Sequence, residues 1–243
     1  MSANPKVKTA TFSFPAQEDD GFVSQYINRY VSRKITRILV QTRLTPNTIT
    51  FLSFAICLVG AILFGLGRYG ETLLAGLLIQ FASIIDGCDG EIARLKSQCT
   101  RFGAWLDTIL DRYADVFIGI GISYGYCSLH HHWAIWPVAV LAVTGFILPS
   151  YTKKEFILRY QIKSPNGFFS KLIKRDVRLF ALMLASLFNC PFEMMIFIGV
   201  VSHVGVVWMI FAVFRGERIA QNSDVPLPVP SNPTLILKSP MSV

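Results

Sequence analysis

Six apolar segments follow one another between residues 49 and 214, and they constrain the fold more than any other feature of the sequence. A helix needs about 20 mostly apolar residues to cross the hydrocarbon core of a bilayer. Buried helices of a soluble protein are the alternative, but only 16% of the residues are charged, against about 25% in soluble domains. We therefore predict an all-α, six-transmembrane-helix bundle, with spans at residues 49–66, 72–93, 103–126, 133–151, 177–188 and 192–214.

The basic residues are distributed unevenly along the chain. Of the 23 Lys and Arg, seven precede the first span and eight lie between residues 153 and 178, whereas Arg68 alone falls in a loop on the opposite side. Cytoplasmic loops of membrane proteins carry such an excess of Lys and Arg. We therefore expect an integral protein of the cell (inner) membrane, in contact with membrane lipids, with both termini cytoplasmic. Because orientation explains the net charge of +8, no nucleic-acid partner is expected.

Residues 20–43, ahead of the first span, alternate apolar and basic positions at helical spacing. Tyr30 and Ile38 fall on the apolar face, and Arg33 and Arg37 on the basic face. This pattern predicts an N-terminal interfacial amphipathic helix on the cytoplasmic side. A short basic helix exposed to solvent is the alternative.

The ends of the chain differ in composition from its middle. Pro46 disfavours helix at the residue before it, and Asn47 is predicted to cap the first span. The last residues contain five prolines, which exclude a continuous helix there. We predict a transmembrane domain over residues 44–218, with disordered segments at residues 1–19 and 219–243.

Carboxylates are concentrated at the cytoplasmic ends of the second and third spans. Six of the fifteen Asp and Glu lie there: Asp86, Asp89, Glu91, Asp107, Asp111 and Asp115. Carboxylates inside membrane helices are costly and are candidates for function, although Glu91 and Asp115 are also consistent with ordinary surface acids.

Four of these carboxylates have the spacing of a shared site. Positions three or four apart lie on one helix face, so Asp86 and Asp89 form one stripe, and Asp107 and Asp111 form another. Two adjacent helices would bring the four together, where their mutual repulsion requires cations or protons. Oxygen ligands without His or Cys suit hard cations such as Mg²⁺ or Mn²⁺.

Small residues accompany these stripes and recur in the third span. Gly90, Ala93 and Gly103 allow close helix packing or leave room for a flat ligand against the backbone. Gly121 and Gly125, spaced by four, fit close helix packing and a homodimer.

The acidic segment also carries a family resemblance. Eight positions match the pattern of the CDP-alcohol phosphatidyltransferase family at the family spacing: Asp86, Asp89, Gly90, Ala93, Arg94, Gly103, Asp107 and Asp111. The runs 86–96, 103–107 and 111–115 are most similar to the branch containing di-myo-inositol phosphate phosphate synthases. Members of that branch are often fused to a cytidylyltransferase domain, which these 243 residues are not expected to include.

The resemblance implies an activity and a set of site residues. A phospho-alcohol group would pass from a CDP-alcohol donor to an alcohol acceptor, with release of CMP and with two Mg²⁺ or Mn²⁺ ions as cofactors. Asp86, Asp89 and Asp107 would be metal ligands, and Asp111 would bind the second ion and act as the general base. Contacts to the CDP moiety are implied for Gly90, Ala93, Arg94 and Gly103.

The identity of the two alcohols is left open by the sequence. CDP-inositol and inositol phosphate are the expected donor and acceptor. Phospholipid synthesis from CDP-diacylglycerol and inositol phosphate or glycerol phosphate is the alternative. Arg112, Lys174 and Arg178 are the candidate contacts to a phosphorylated acceptor, with Arg178 preferred because a guanidinium binds phosphate in a bidentate manner. Arg112 could instead pair with Asp115 or with a lipid headgroup. A carboxylate-based ion transporter is the alternative of another class, and it would predict inverted repeats and interrupted helices.

Overall fold

A computed structural model describes residue 23, residues 28–160 and residues 174–222, with side chains up to residue 215. Seven helices make up the regular structure of this part of the chain: α1 (Arg29–Leu39), α2 (Pro46–Gly65), α3 (Tyr69–Leu95), α4 (Arg101–His130), α5 (Ile135–Tyr160), α6 (Arg175–Leu187) and α7 (Pro191–Asn222). The predicted disordered segments lie almost entirely outside the described residues.

Four of the described helices are long and apolar enough to cross a membrane: α2, α3, α5, and α7 as far as Arg215. Helix α4 has 30 residues, but charged side chains such as Asp107, Asp111 and Arg112 interrupt its apolar character. Helix α6 has only 13 residues. The all-helical membrane fold is thereby confirmed, and the spanning of α4 and α6 stays a prediction.

Helix α3 lies at the centre of the packing. It contacts α1, α2 and α6, while α2 also packs against α4, and α5 packs against α7. Apolar side chains from most of these helices meet in one interior cluster, which includes Cys57, Phe64, Ile79, Ile118, Leu182 and Met195. The acidic end of α3 is therefore fixed by neighbours on several sides.

The two glycines of the third predicted span face a helix of the same chain. A Cβ atom at Gly121 would collide with the carbonyl oxygen of Ala61, and one at Gly125 would collide with that of Phe64. The spacing thus serves close packing of α4 on α2. The prediction that these glycines form a homodimer face is wrong, because α2 already covers them.

The start of α2 differs in detail from its prediction. Thr45, and not Asn47, is the N-cap, and its hydroxyl accepts a hydrogen bond from the Thr48 backbone N–H. Pro46 then occupies the first helical position, where its missing N–H costs nothing.

Helix α1 contacts α3 through a polar stripe. Ser32 and Thr36 are its buried residues, whereas Tyr30 and Ile38 from the predicted apolar face are 66% and 69% exposed. The helix covers part of the predicted segment, and its protein-facing side combines these two hydroxyl residues with Ile35 and Leu39, which pack on a small apolar cluster of α2 and α3. Its placement in the membrane interface stays a prediction.

Candidate active site

Three carboxylates from two helices converge at the acidic end of α3. One oxygen each from Asp86 and Asp89 of α3 and from Asp107 of α4 lie within 4.8 Å of one another. The helical spacing predicted this meeting, because Asp86 and Asp89 lie on the face of α3 that is turned toward α2 and α4. We call these three residues the carboxylate cluster.

Two hydroxyl groups of α2 hold the α3 members of the cluster. Thr50 donates a 2.5 Å hydrogen bond to Asp89, and Ser53 donates a 3.2 Å hydrogen bond to Asp86. Sequence reasoning missed this pair, although Thr50 and Ser53 are three residues apart and so share a helix face. Such spacing is common in apolar helices and indicates a role only once the opposite carboxylates are known.

The chemistry of the carboxylate cluster fits a hard divalent cation. Its donor set consists of carboxylate oxygens alone, as Mg²⁺ and Mn²⁺ prefer. Oδ1 of Asp107 is buried and has no hydrogen-bond partner among the described residues. Since a buried polar atom without a partner is costly, this oxygen is available as a ligand.

Asp111, the fourth predicted carboxylate, lies beside the cluster and is paired with an arginine. Nη1 of Arg175 is 2.7 Å from Oδ1 of Asp111 and 3.3 Å from Oδ2 of Asp86. The structure thus brings three of the four aspartates together and links the fourth to them through Arg175. Sequence reasoning did not select Arg175, although its position at the start of α6 placed it near the acidic helix ends.

Asp115 and Glu91 are buried, which corrects their interpretation as possible surface acids. Asp115 is 2% exposed and accepts hydrogen bonds from Arg178 at 2.8 Å and from Arg175 at 3.4 Å. Glu91 is 0% exposed and accepts hydrogen bonds from Ser32 of α1. Both carboxylates are satisfied inside the protein.

Arg178, the preferred candidate for the acceptor contact, is engaged by groups of the protein. Its side chain is 3% exposed, donates to Asp115 and to the carbonyl oxygen of Phe146, and lies 4.9 Å from the Phe146 ring centroid. Because these partners belong to the protein, Arg178 connects α4, α5 and α6, and its contact to an acceptor stays a prediction.

Arg112 pairs with Asp115, which is one of the alternatives that the sequence left open. Its guanidinium lies 3.7 Å from both Asp111 and Asp115, and it donates a 2.8 Å hydrogen bond to Ser150. The side chain is 22% exposed, so a ligand can still reach it. Lys174, the third predicted acceptor contact, is the residue that precedes α6.

The residues predicted to contact the CDP moiety lie along the same ends of α3 and α4. A Cβ atom at Gly90 would sit 3.6 Å from Arg94, whose side chain is exposed, and one at Gly103 would press on Asn47 at 3.0 Å. Ala93 is partly buried. Nucleotide contacts at these four positions stay a prediction.

Comparison with known proteins shows several relatives that share most of this chain. A protein of Rubrobacter xylanophilus named bifunctional IPC transferase and DIPP synthase is 37% identical over 202 residues, 83% of this chain and 44% of the relative. A protein of the same name from Archaeoglobus fulgidus is 37% identical over 80% of this chain and 39% of the relative. The chain thus spans less than half the length of these relatives. The archaetidylinositol phosphate synthase of Pyrococcus horikoshii is 28% identical over 64% of this chain and 76% of the relative.

Solved structures show the same fold. The phosphatidylinositol phosphate synthase of Mycobacterium tuberculosis with CDP-DAG bound matches with a TM-score of 0.64 at 22% identity, over 76% of this chain and 94% of that one. Its complex with manganese and citrate matches with a TM-score of 0.63 at 24% identity. The family model described as CDP-alcohol phosphatidyltransferase matches residues 43–214, which include the carboxylate cluster, Asp111 and Arg175. The chain therefore belongs to the CDP-alcohol phosphatidyltransferase family.

Proposed function

We propose that this protein is a phosphotransferase that moves a phospho-alcohol group from a CDP-alcohol donor to an alcohol acceptor and releases CMP. The observation that carries the proposal is the convergence of Asp86, Asp89 and Asp107 within 4.8 Å, beside a fourth carboxylate held by Arg175. Family membership supports this chemistry, and it disfavours the ion-transporter alternative.

The proposed substrates are CDP-inositol and inositol phosphate. The names of the Rubrobacter and Archaeoglobus relatives, which cover most of this chain, support an inositol-based reaction. Phospholipid synthesis from CDP-diacylglycerol is the second candidate. The name of the Pyrococcus relative, of whose length the match covers 76%, supports an inositol phosphate lipid as product, and the neighbouring structure that was solved with CDP-DAG supports this donor.

The carboxylate cluster is proposed to hold Mg²⁺ or Mn²⁺, with Asp111 completing the site for a second ion. When bound, two such ions would neutralise the diphosphate and stabilise the departing oxygen of CMP. Thr50 and Ser53 orient the carboxylates of Asp89 and Asp86. The Asp107 oxygen that has no hydrogen-bond partner in the described part of the chain is the atom that most directly supports this assignment.

Asp111 is proposed to remove the proton from the acceptor hydroxyl. The acceptor oxygen forms a bond to the phosphorus nearer the donor alcohol, and the bond from that phosphorus to the CMP oxygen breaks. A general base must lie within hydrogen-bond reach of the proton that it takes. Arg175, at 2.7 Å, fixes the Asp111 carboxylate in one orientation.

The groups around the carboxylates are proposed to bind the rest of the two substrates. Gly90, Ala93, Arg94 and Gly103 would contact the CDP moiety. Arg112 and Lys174 would contact a phosphorylated acceptor, which suits the partial exposure of Arg112.

The membrane arrangement is part of the same proposal. Helices α4 and α6 would complete a six-span bundle within a domain of residues 44–218. The segment of residues 20–43, which contains α1, would lie in the cytoplasmic interface. The uneven distribution of Lys and Arg supports cytoplasmic termini and a cytoplasmic active site in the cell (inner) membrane. A homodimer would require a surface other than the glycines of α4.

Release of CMP from the purified protein in detergent tests this proposal. CDP-inositol and CDP-diacylglycerol are supplied separately, each with inositol phosphate and Mg²⁺. We expect release from CDP-inositol and loss of at least about a hundredfold in Asp111→Asn, since general bases contribute 10²–10⁴-fold. Glu155→Gln is the matched control, because Glu155 pairs with Arg159 at the surface of α5. Release from CDP-diacylglycerol alone would establish the second candidate, and full activity of Asp111→Asn would remove the proposed base.

A further inference from the structure

Glu91 is a buried carboxylate that the proposed chemistry does not use. Its side chain is 0% exposed, although it adjoins Gly90 and follows Asp89 by two residues. Two residues correspond to about 200° around a helix, so Glu91 and Asp89 point to opposite sides of the last turns of α3. Asp89 faces Thr50 of α2, and Glu91 faces α1.

Both oxygens of Glu91 are used by α1. Oε1 accepts hydrogen bonds from Ser32 at 3.1 Å and from Arg29 at 3.3 Å, and Oε2 accepts one from Thr36 at 2.7 Å. The three donors are three, four and seven residues apart, so they form one face of α1. Removing one partner of a buried, hydrogen-bonded charge is strongly destabilising, so this carboxylate fixes α1 at one position on α3.

A second contact fixes the link between α1 and α2 to the same end of α3. Nζ of Lys96, which follows α3, donates hydrogen bonds to the carbonyl oxygens of Thr42 and Leu44, at 2.8 and 2.7 Å. Helix α2 begins two residues after Leu44, at Pro46. The orientation of the start of α2 relative to the acidic end of α3 is therefore set by Lys96 together with the docking of α1.

That orientation determines the geometry of the carboxylate cluster, because Thr50 lies one turn into α2 and donates to Asp89 at 2.5 Å. We propose that Glu91 is a positioning residue: by docking α1 on α3 it fixes α2 against Asp86 and Asp89 and so sets the affinity of the cluster for its divalent cation. The inference rests on the proposed function, since it assumes that the cluster binds a cation.

Binding of Mn²⁺ to the protein in detergent, followed by electron paramagnetic resonance without substrate, tests the inference. Glu91→Gln keeps the shape of the side chain but loses the charge that pairs with Arg29. We expect it to raise the Kd for Mn²⁺ about fivefold, less than the 10–100-fold typical of groups bonded directly to metal ligands. At saturating Mn²⁺, CMP release should return to within about threefold of wild type, because the chemical groups are intact.

Two further variants, one at the donors of α1 and one control, make the outcome decisive. Ser32→Ala combined with Thr36→Val leaves Glu91 in place and should also raise the Kd for Mn²⁺. This double variant tests the same contact if Glu91→Gln fails to fold. Glu71→Gln, at the other end of α3 and paired with Arg68, should leave Mn²⁺ binding unchanged.

Asp89→Asn separates the inference from the proposed function. If Asp89→Asn weakens Mn²⁺ binding but the Glu91 and Ser32/Thr36 variants do not, the role of Glu91 is overturned and the metal site stands. If Asp89→Asn leaves Mn²⁺ binding unchanged, the proposed metal site falls, and the role of Glu91 falls with it.

Discussion

Arg175 lies 2.7 Å from Asp111, and the same guanidinium nitrogen lies 3.3 Å from Asp86. The proposed base and a proposed metal ligand are therefore held by one cation from α6. Arg175 also reaches Asp115 at 3.4 Å, so its planar guanidinium serves three carboxylates, which an ammonium group could not do with the same geometry.

Replacing Arg175 should slow the transfer, because it releases the carboxylate of Asp111. We expect Arg175→Lys to lower kcat about tenfold and Arg175→Gln about a hundredfold, since misplacing a reacting group by about 1 Å costs about that much. The CMP-release assay measures both variants against Arg159→Gln, whose target is an exposed partner of Glu155. Wild-type kcat in Arg175→Gln would show that Asp111 does not need this contact.

The hydroxyl groups of α2 should affect the concentration of Mg²⁺ that the enzyme needs. Thr50→Val keeps the size of the side chain but removes the 2.5 Å hydrogen bond to Asp89. We expect the Mg²⁺ concentration for half-maximal activity to rise about tenfold, as for other groups that orient metal ligands. Thr48→Val is the control, because Thr48 bonds to Thr45 in the first turn of α2. An unchanged Mg²⁺ titration in Thr50→Val would contradict this role.

Arg178 and Asp115 should act on stability rather than on substrate affinity. Removing either member breaks this buried 2.8 Å ion pair, and breaking a buried ion pair costs about 3–5 kcal/mol. Thermal unfolding in detergent should show a large loss for Arg178→Gln and for Asp115→Asn. The double variant should lose less than the sum of the two, as expected for residues in contact. If instead Arg178→Gln unfolds like wild type but raises the KM for the acceptor, Arg178 binds the ligand after all.

Gly121 should not tolerate a side chain. Because the added Cβ atom would meet the backbone oxygen of Ala61, Gly121→Ala must move α4 away from α2. We expect a lower unfolding temperature and reduced activity, since overpacking costs about 1–3 kcal/mol. Gly70→Ala is the matched control, because nothing lies within 4 Å of its added Cβ atom. Equal stability of the two variants would contradict the close packing.

The sequence was sufficient for the features that helical periodicity determines. Asp86 and Asp89 are three residues apart, so they had to share a face, and the small residues around them indicated a close neighbour. The apolar segments likewise predicted an all-helical membrane fold. These inferences succeeded because they depend on spacing within one helix.

The contacts that each carboxylate makes with other helices could not be predicted in this way. Asp111 and Asp115 follow Asp107 at the same spacing of four, yet Asp107 joins the carboxylate cluster, Asp111 pairs with Arg175, and Asp115 is buried with Arg178. Glu91 resembled a surface acid because its donors are about 60 residues away, on α1. Each of these roles depends on which helix packs against which face, and spacing alone does not carry that information.

The central claim is that the carboxylate cluster supports metal-dependent cleavage of a CDP-alcohol donor. Its most direct test is CMP release as a function of Mg²⁺ concentration, for wild type and for Asp107→Asn, whose target oxygen has no partner among the described residues. We predict that the chelator EDTA abolishes release by wild type, that added Mg²⁺ restores it, and that Asp107→Asn is at least about a hundredfold slower at any Mg²⁺ concentration. Release that continues in EDTA, or an Asp107→Asn variant as fast as wild type, would contradict the account.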